Sequence, residues 1–181
     1  MEVELRVWTR RDAAALKSAV AASADLSTEF GGAHLDSVKA CADFIDHYLG
    51  FRQETGHNLA IAVDDVVVGS VGLSNIERRH DTAWAYYWVA RAHRGRGLAT
   101  RALATMADAA FRELDLFRIE LGHRVNNPAS CAVATGAGFA VEGIERSKLR
   151  YGDLRFDAET HARLLTDRAP ELTLLAHPNL R

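Results

Sequence analysis

The chain has 181 residues, with 22 Lys and Arg against 24 Asp and Glu, 48% hydrophobic residues and two cysteines. This length suits one well-buried core, so we expect a single domain over residues 1–181, and the ordinary globular composition excludes a disordered chain. No apolar run is long enough to span a membrane, the N-terminus lacks a signal-peptide pattern, and a net charge of −2 gives no general attraction to nucleic acid. Cys41 and Cys131 lack CxxC or Cys/His spacing, which favours a cytoplasmic protein without a structural zinc site.

Apolar periodicity predicts the element order β-α-α-β-β-β-α-β-α-β-β, an α/β fold with a mixed, largely antiparallel sheet. The predicted strands are Val3–Trp8, Leu59–Val63, Val66–Leu73, Ala83–Ala90, Phe117–Val125, Phe139–Ile144 and Leu154–Leu164. The predicted helices are Arg11–Ala22 after an N-cap at Thr9, Asp36–Phe51 with Val38, Ala42, Ile45 and Leu49 on one face, a helix that follows Thr100 and includes Leu103 to Leu114, and Pro128–Gly136.

The segment Arg94-Gly95-Arg96-Gly97-Leu98-Ala99-Thr100 carries the strongest local signal. A strand ends, two glycines permit close backbone approach, and a helix begins with its free N–H groups and positive dipole end. Such a loop is suited to a pyrophosphate. It lacks the Lys-Ser/Thr of a nucleotide triphosphate loop and the third glycine of a dinucleotide fingerprint, so neither ligand is favoured.

The motif Arg94-x-x-Gly97-x-Ala99 resembles the Q/R-x-x-G-x-G/A signature of the GNAT superfamily of N-acetyltransferases. The segments Asn127-Pro128-Ala129-Ser130 and Gly138-Phe139-Ala140-Val141-Glu142-Gly143 resemble the N-x-x-S and G-F-x-x-E-G motifs of its RimJ/RimL-like, ribosomal-protein N-acetyltransferase branch. The opening Leu5-Arg6-Val7-Trp8-Thr9 also resembles the start of that branch. The resemblance covers about residues 5–165 and leaves a C-terminal tail, residues 166–181.

The resemblance implies a GNAT fold whose sheet splays between its fourth and fifth strands and holds acetyl-CoA in the opening. The pantetheine is then expected along the backbone of Tyr87, Trp88 and Val89, where one amide polarises the thioester. Asn127 is expected to bind the pantetheine arm from the other side. The implied cofactor residues are Tyr87, Trp88, Val89, Arg94, Gly95, Arg96, Gly97, Leu98, Ala99, Thr100, Asn127 and Ser130, with no metal.

The resemblance implies fewer of the catalytic groups than of the cofactor-binding residues. Many relatives carry an acid tyrosine where this chain has Ala134, which leaves Ser130 to serve the departing thiolate. The strand glutamate of many relatives corresponds to Trp84, so the general base stays open among Glu29, His34, Glu77, His80, Asp81 and a bound water. Glu29 and Trp84 are expected on the substrate side. Cys131 is expected in the core, and His57 and His123 are expected to be structural.

The sequence therefore predicts an acyl-CoA-dependent N-acyltransferase that moves an acetyl group to a primary amine by direct attack in a ternary complex. The partner is an amine acceptor, either a protein N-terminus or a small molecule, and the chain is a monomer or a homodimer. Two alternatives remain open: a CoA-binding sensor with reduced catalysis, and transfer of a larger acyl group such as succinyl.

Overall fold

The computed structural model describes residues 1–23, 25 and 26, 30, 32–50 and 56–181. Within these residues the chain forms seven strands and four α-helices. The strands are β1 (Val3–Arg6), β2 (His57–Val63), β3 (Val66–Glu77), β4 (Thr82–Val89), β5 (Arg118–Arg124), β6 (Ala140–Tyr151) and β7 (Leu154–Leu164). The helices are α1 (Ala13–Ala21), α2 (Val38–Tyr48), α3 (Leu98–Glu113) and α4 (Pro128–Gly136), and short 3-10 turns precede α1 and follow β4.

The seven strands form one sheet in the order β1-β2-β3-β4-β5-β7-β6. Only β4 and β5 run parallel among these strands, and the other neighbours are antiparallel. The parallel pair needs a crossover, which α3 provides. The predicted mixed, mostly antiparallel sheet is confirmed.

Two apolar layers cover the two faces of the sheet. On one face α3 buries Leu103, Met106 and Phe111 against the inner residues of β2 to β5. On the other face α1 and α2 bury Leu16, Ile45 and neighbouring side chains against Trp8 and Trp88. Because residues alternate along a strand, Ala85, Tyr87 and Val89 of β4 face α3, whereas Trp84, Tyr86 and Trp88 face the other layer.

The observed ends of some helices and strands differ from the predicted ends, because capping or strand pairing determines where they lie. Helix α2 begins after Ser37, whose hydroxyl accepts from the Ala40 amide at 3.0 Å, so the helix is shorter than predicted at its start. Of the four residues predicted on one face of this helix, Ala42, Ile45 and Leu49 are buried, whereas Val38, the first residue of the helix, is 48% exposed. Strand β6 continues seven residues past the predicted end at Ile144 because it pairs with β7 as far as Tyr151 and Leu154.

Residues 166–181 pack against the domain. Leu175 and Leu180 are buried in the layer beneath α3, and the Leu5 amide donates to the Ala176 carbonyl at 2.8 Å. Thr105 of α3 accepts from the Leu175 amide at 2.9 Å. The tail therefore closes the β1 edge of the sheet. Among the described residues no helix is both long and apolar enough to cross a membrane.

Candidate active site

The central sheet opens between β4 and β5, two strands that the structure describes in full. They pair over three positions, Thr82 with Arg118, Ala83 with Ile119 and Trp84 with Glu120. Beyond Trp84, β4 remains paired with β3 as far as Val89, while β5 continues along β7 to Arg124. The two strands therefore diverge into a V-shaped gap, as the resemblance implied.

The backbone of β4 turns alternate residues toward its two neighbours, as antiparallel pairing requires. The Ala90 amide donates to Val68 in β3 at 2.8 Å, and the Trp88 carbonyl also points to β3, against Gly69. The backbone groups of Tyr87 and Val89 therefore point into the gap. Consistent with this direction, the Val89 carbonyl accepts a hydrogen bond from Nε of Arg94 at 2.8 Å and not from β3.

The glycine loop forms one end of the gap. Gly95 and Gly97 have φ angles of 74° and 72°, a left-handed conformation that strains other residues. A Cβ atom at either glycine would meet no protein atom within 4 Å, so the space above the loop is open. The first helical hydrogen bond of α3 runs from the Arg101 amide to Gly97, which leaves the amides of residues 98–100 outside the helical ladder. These amides lie at the positive end of a 16-residue helix, an arrangement that in proteins generally favours an anion.

The two loop arginines differ in their contacts. Besides Val89, Arg94 binds Asp25 of the α1–α2 connection through Nη2, with the carboxylate oxygen 2.8 Å away. Arg94 therefore ties the end of β4 to that connection, with its side chain 41% exposed. Arg96 is exposed, and its guanidinium reaches the Ala92 carbonyl at 3.4 Å. It does not line the gap.

The opposite wall is the start of α4. Asn127 caps this helix, because its side-chain oxygen accepts from the Ser130 amide at 3.2 Å. The Tyr87 hydroxyl donates to the Ser130 carbonyl at 3.2 Å, which connects β4 with α4 across the gap. Ser130 thus lies at the wall with its backbone fixed on both sides. The sequence motifs predicted a role only for the backbone of Tyr87, and they carry no signal for this contact of its hydroxyl.

Together these elements enclose a cleft of about 480 Å³. Of the cofactor residues implied by the resemblance, all line the cleft except Arg96. The lining residues are Asp25, Leu26, Tyr87, Trp88, Val89, His93, Arg94, Gly95, Gly97, Leu98, Ala99, Thr100, Asn127, Ala129, Ser130, Ala132 and Val133. Asp25, Leu26 and His93 were not predicted, because they reach the cleft from a connection and a 3-10 turn without a motif of their own.

The aromatic residues of β4 are divided by strand alternation. Trp88 packs on Trp8 and Phe30, with ring centroids 6.2 and 5.6 Å away. The Tyr86 hydroxyl donates to the Asn58 side chain, and burial raises the pKa of Tyr86 to about 12, so this phenol stays neutral. Trp84 lies where β4 and β5 part, against Gly122 and beneath the Lys148 ammonium, 5.4 Å from the ring centre. It does not line the cleft.

The structure places most of the general-base candidates away from the cleft. Glu77, His80 and Asp81 lie at the β3–β4 turn, beyond the paired end of β4, and Glu77 accepts from the amides of Arg79 and His80 there. Asp81 precedes Trp88 by seven strand positions, about 23 Å of extended chain. His34 lines a separate depression beside α2. Glu29 lies outside the described residues.

A family model described as "Acetyltransferase (GNAT) domain" matches residues 2–140, which is more than half of the chain. The chain therefore belongs to the GNAT acetyltransferase family, and the family predicted from its motifs is confirmed. The structure agrees with this assignment, because the family motif forms the glycine loop and the sheet is splayed between β4 and β5.

The chain is 36% identical over 116 residues to the probable N-acetyltransferase YjcK of Bacillus subtilis, a match covering 64% of each chain. It is 29% identical over 102 residues to the ribosomal-protein-serine acetyltransferase of Escherichia coli, over 56% of this chain and 57% of that protein. The chain thus spans less than two thirds of the length of these curated relatives.

Solved structures show the same fold over nearly the whole chain. Mycobacterium smegmatis RimJ in complex with CoA-disulfide matches with a TM-score of 0.75 and 27% identity, over 90% of this chain and 82% of RimJ. The microcin C7 self-immunity acetyltransferase MccE, in complex with acetyl-CoA and AMP, has a TM-score of 0.78 over 91% of this chain and 93% of that chain. At 19% identity, this second match shows the shared fold alone.

Proposed function

We propose that this chain transfers the acetyl group of acetyl-CoA to a primary amine. The observation that carries the proposal is the cleft between β4 and β5, which ends on the free amides at the start of α3. An extended pantetheine fits the strand edge, and a pyrophosphate fits the amides. The relatives named as N-acetyltransferases, and the neighbours bound to CoA or acetyl-CoA, support the same cosubstrate.

In this proposal the pyrophosphate binds the amides of residues 95–100. The pantetheine runs along the gap-facing backbone of Tyr87 and Val89, while the backbone of Trp88 stays bonded to β3. One amide of this edge donates to the thioester carbonyl and stabilises the oxyanion formed by amine attack. Because the strand is already held by β3, this amide is preorganised and needs no rearrangement in the transition state.

The leaving thiolate of CoA would be served by Ser130, which lines the cleft and follows the Asn127 cap. Its backbone is held by Asn127 and by the Tyr87 hydroxyl, so the position of its own hydroxyl is restrained. Ser130 donates a proton or a hydrogen bond to sulfur as negative charge develops there. The buried Ala134 cannot take this role, since it carries no polar group.

The acceptor amine must lose a proton. Among the described cleft residues the carboxylate is Asp25, which binds Arg94, and the imidazole is His93, which lies beside the glycine loop. The described part of the cleft holds no other carboxylate or imidazole, so we propose that a bound water takes this proton. Glu29, the remaining candidate from the sequence, lies outside the described residues. The same observation favours a second candidate function, a CoA-binding module without turnover.

One experiment separates the two functions. The purified chain is mixed with acetyl-CoA and a panel of amines: a peptide with an N-terminal serine, a lysine peptide and spermidine. Thiol release and the mass of the product are measured, with succinyl-CoA as a parallel donor. Acetylation of a panel amine supports the transferase, and calorimetric binding of acetyl-CoA without thiol release supports the module. Absence of CoA binding at millimolar concentration contradicts both.

A further inference from the structure

A group of metal-ligating side chains lies beneath α4, outside the cleft. We call it the β5–α4–β7 cluster; its members are His123, Cys131, Glu159 and His161. One ligand atom from each residue lies within 4.8 Å of the other three. His123 and Glu159 are paired across β5 and β7, and His161 follows Glu159 by two positions, so the three share the face that α4 covers.

Three of the four ligand atoms are separated by distances close to those within a zinc coordination sphere. The Nε2 atoms of His123 and His161 are 3.0 Å apart, and Oε1 of Glu159 lies 2.9 Å from one and 3.4 Å from the other. Zinc bonds of about 2.0–2.2 Å to nitrogen and oxygen place tetrahedral neighbours roughly 3.3 Å apart. The three atoms therefore need to move by only a few tenths of an ångström to share one ion.

The protonation of the cluster also suits a cation. Nδ1 of His123 lies 3.0 Å from the Arg124 carbonyl, so this nitrogen carries the proton and Nε2 presents a lone pair toward His161. A backbone carbonyl behind a histidine is the arrangement that orients metal-bound imidazoles. Two imidazole nitrogens that face each other at this distance can share only one proton, whereas a cation accepts both lone pairs.

The burial and charge of the four side chains indicate which kind of ion the cluster would bind. His161 and His123 are 1% and 7% exposed, while the Glu159 side chain is 21% exposed and leaves an entry path from solvent. Cys131 is half-buried rather than in the core as predicted, and its sulfur lies within 4.8 Å of the ligand atoms of the other three residues. Two neutral imidazoles, a carboxylate and a thiolate balance a divalent charge, and nitrogen and sulfur ligands favour zinc over magnesium or calcium.

We propose that the β5–α4–β7 cluster binds one zinc ion with four protein ligands. On binding, the Cys131 thiol gives its proton to solvent and its sulfur bonds to the ion, and no other covalent bond changes. A site closed by four protein ligands is structural. It would fasten the start of α4, including Ser130, to β5 and β7, and this departs from the sequence-based expectation of no metal.

The test uses the full chain without a polyhistidine tag, freed of metal by a chelator and titrated with Co²⁺ and then Zn²⁺. We expect tetrahedral cobalt bands in the visible spectrum and a thiolate charge-transfer band, both saturating at one ion per chain and displaced by Zn²⁺. Cys131→Ser should remove the charge-transfer band. Cys41→Ser, which changes the other cysteine, should keep it.

Two further variants guard against misfolding as an explanation. Glu159→Gln is nearly isosteric and should weaken Zn²⁺ binding at least tenfold with an unchanged far-ultraviolet circular dichroism spectrum. His177→Gln, a histidine outside the cluster, should bind normally. Zn²⁺ should raise the melting temperature of the native chain and of Cys41→Ser but raise that of Glu159→Gln less. Octahedral cobalt spectra, saturation well below one ion per chain, or a thiolate band that survives Cys131→Ser would each overturn the proposal and leave a hydrogen-bonded cluster.

Discussion

The open space above Gly97 gives a sharp test of the cofactor site. Gly97→Ala forces a methyl-bearing residue to keep a φ of 72°, which destabilises the fold by about 1–2 kcal/mol. For a chain of this length, that change lowers the melting temperature by roughly 2–8 °C. The new methyl group meets no protein atom within 4 Å, so it projects where the proposal places the pyrophosphate. Losing one or two hydrogen bonds to a charged group, each about 1.5–3 kcal/mol, predicts at least a tenfold weaker affinity for acetyl-CoA.

Gly152 provides the matched control. It lies in the β6–β7 turn with a φ of 59°, and a Cβ there also meets nothing within 4 Å. Gly152→Ala should therefore lower the melting temperature by a similar amount, because both variants strain the backbone in the same way. It should leave the acetyl-CoA affinity within about twofold, because Gly152 does not line the cleft. Calorimetric titration and thermal unfolding on the same preparations measure both quantities. Equal acetyl-CoA affinities for the two variants would refute the placement of the pyrophosphate.

Three further predictions follow from other contacts. Ser130→Ala should lower kcat about ten- to a hundredfold with an unchanged acetyl-CoA dissociation constant, and a normal kcat would remove Ser130 from the mechanism. Arg96→Ala should weaken acetyl-CoA binding only a few-fold, because this exposed side chain does not line the cleft; a thousandfold loss would show a desolvated phosphate clamp. Burial by itself raises the pKa of Asp12, but hydrogen bonds from Arg6 and Thr9 outweigh it and lower this pKa. Asp12→Asn should therefore lower the free energy of unfolding by about 2–3 kcal/mol at neutral pH. The difference from the native chain should vanish as acid protonates Asp12, and a difference independent of pH would contradict this account.

Local sequence predicted the order and type of the elements well, and their limits less well. Helix α4 matches its predicted range because Asn127 and Pro128 start a helix by their own chemistry and Gly136 and Gly138 end it. Strand β6 was predicted too short, because residues 145–151 are strand only through pairing with β7. Val38 is exposed although Ala42 and Ile45 of its predicted face are buried, because periodicity assigns a helix face and does not show which end of the helix lies beyond the core.

The cleft, too, could be predicted from the sequence only in part. Its glycine loop could be read directly, since two glycines, a helix start and the family signature lie within seven consecutive residues. The roles within β4 could not, because strand pairing decides that the backbones of Tyr87 and Val89 face the gap and that of Trp88 does not. Likewise, Glu77 at the end of β3, and His80 and Asp81 in the β3–β4 turn, lie at the end of the sheet away from the cleft.

The sequence by itself determined the family, the α/β class and the glycine loop before α3, because each depends on motifs or periodicity in residues close together in the chain. Only the tertiary structure decided which side chains from distant segments meet: the Tyr87 hydroxyl with the start of α4, Arg94 with Asp25, and the members of the β5–α4–β7 cluster. The members of that cluster are up to 38 residues apart, and the pairing of β5 with β7 brings the two histidines together. Spacing rules for metal ligands describe sites built within one or two loops, so a site assembled across a sheet and a helix carries no such pattern.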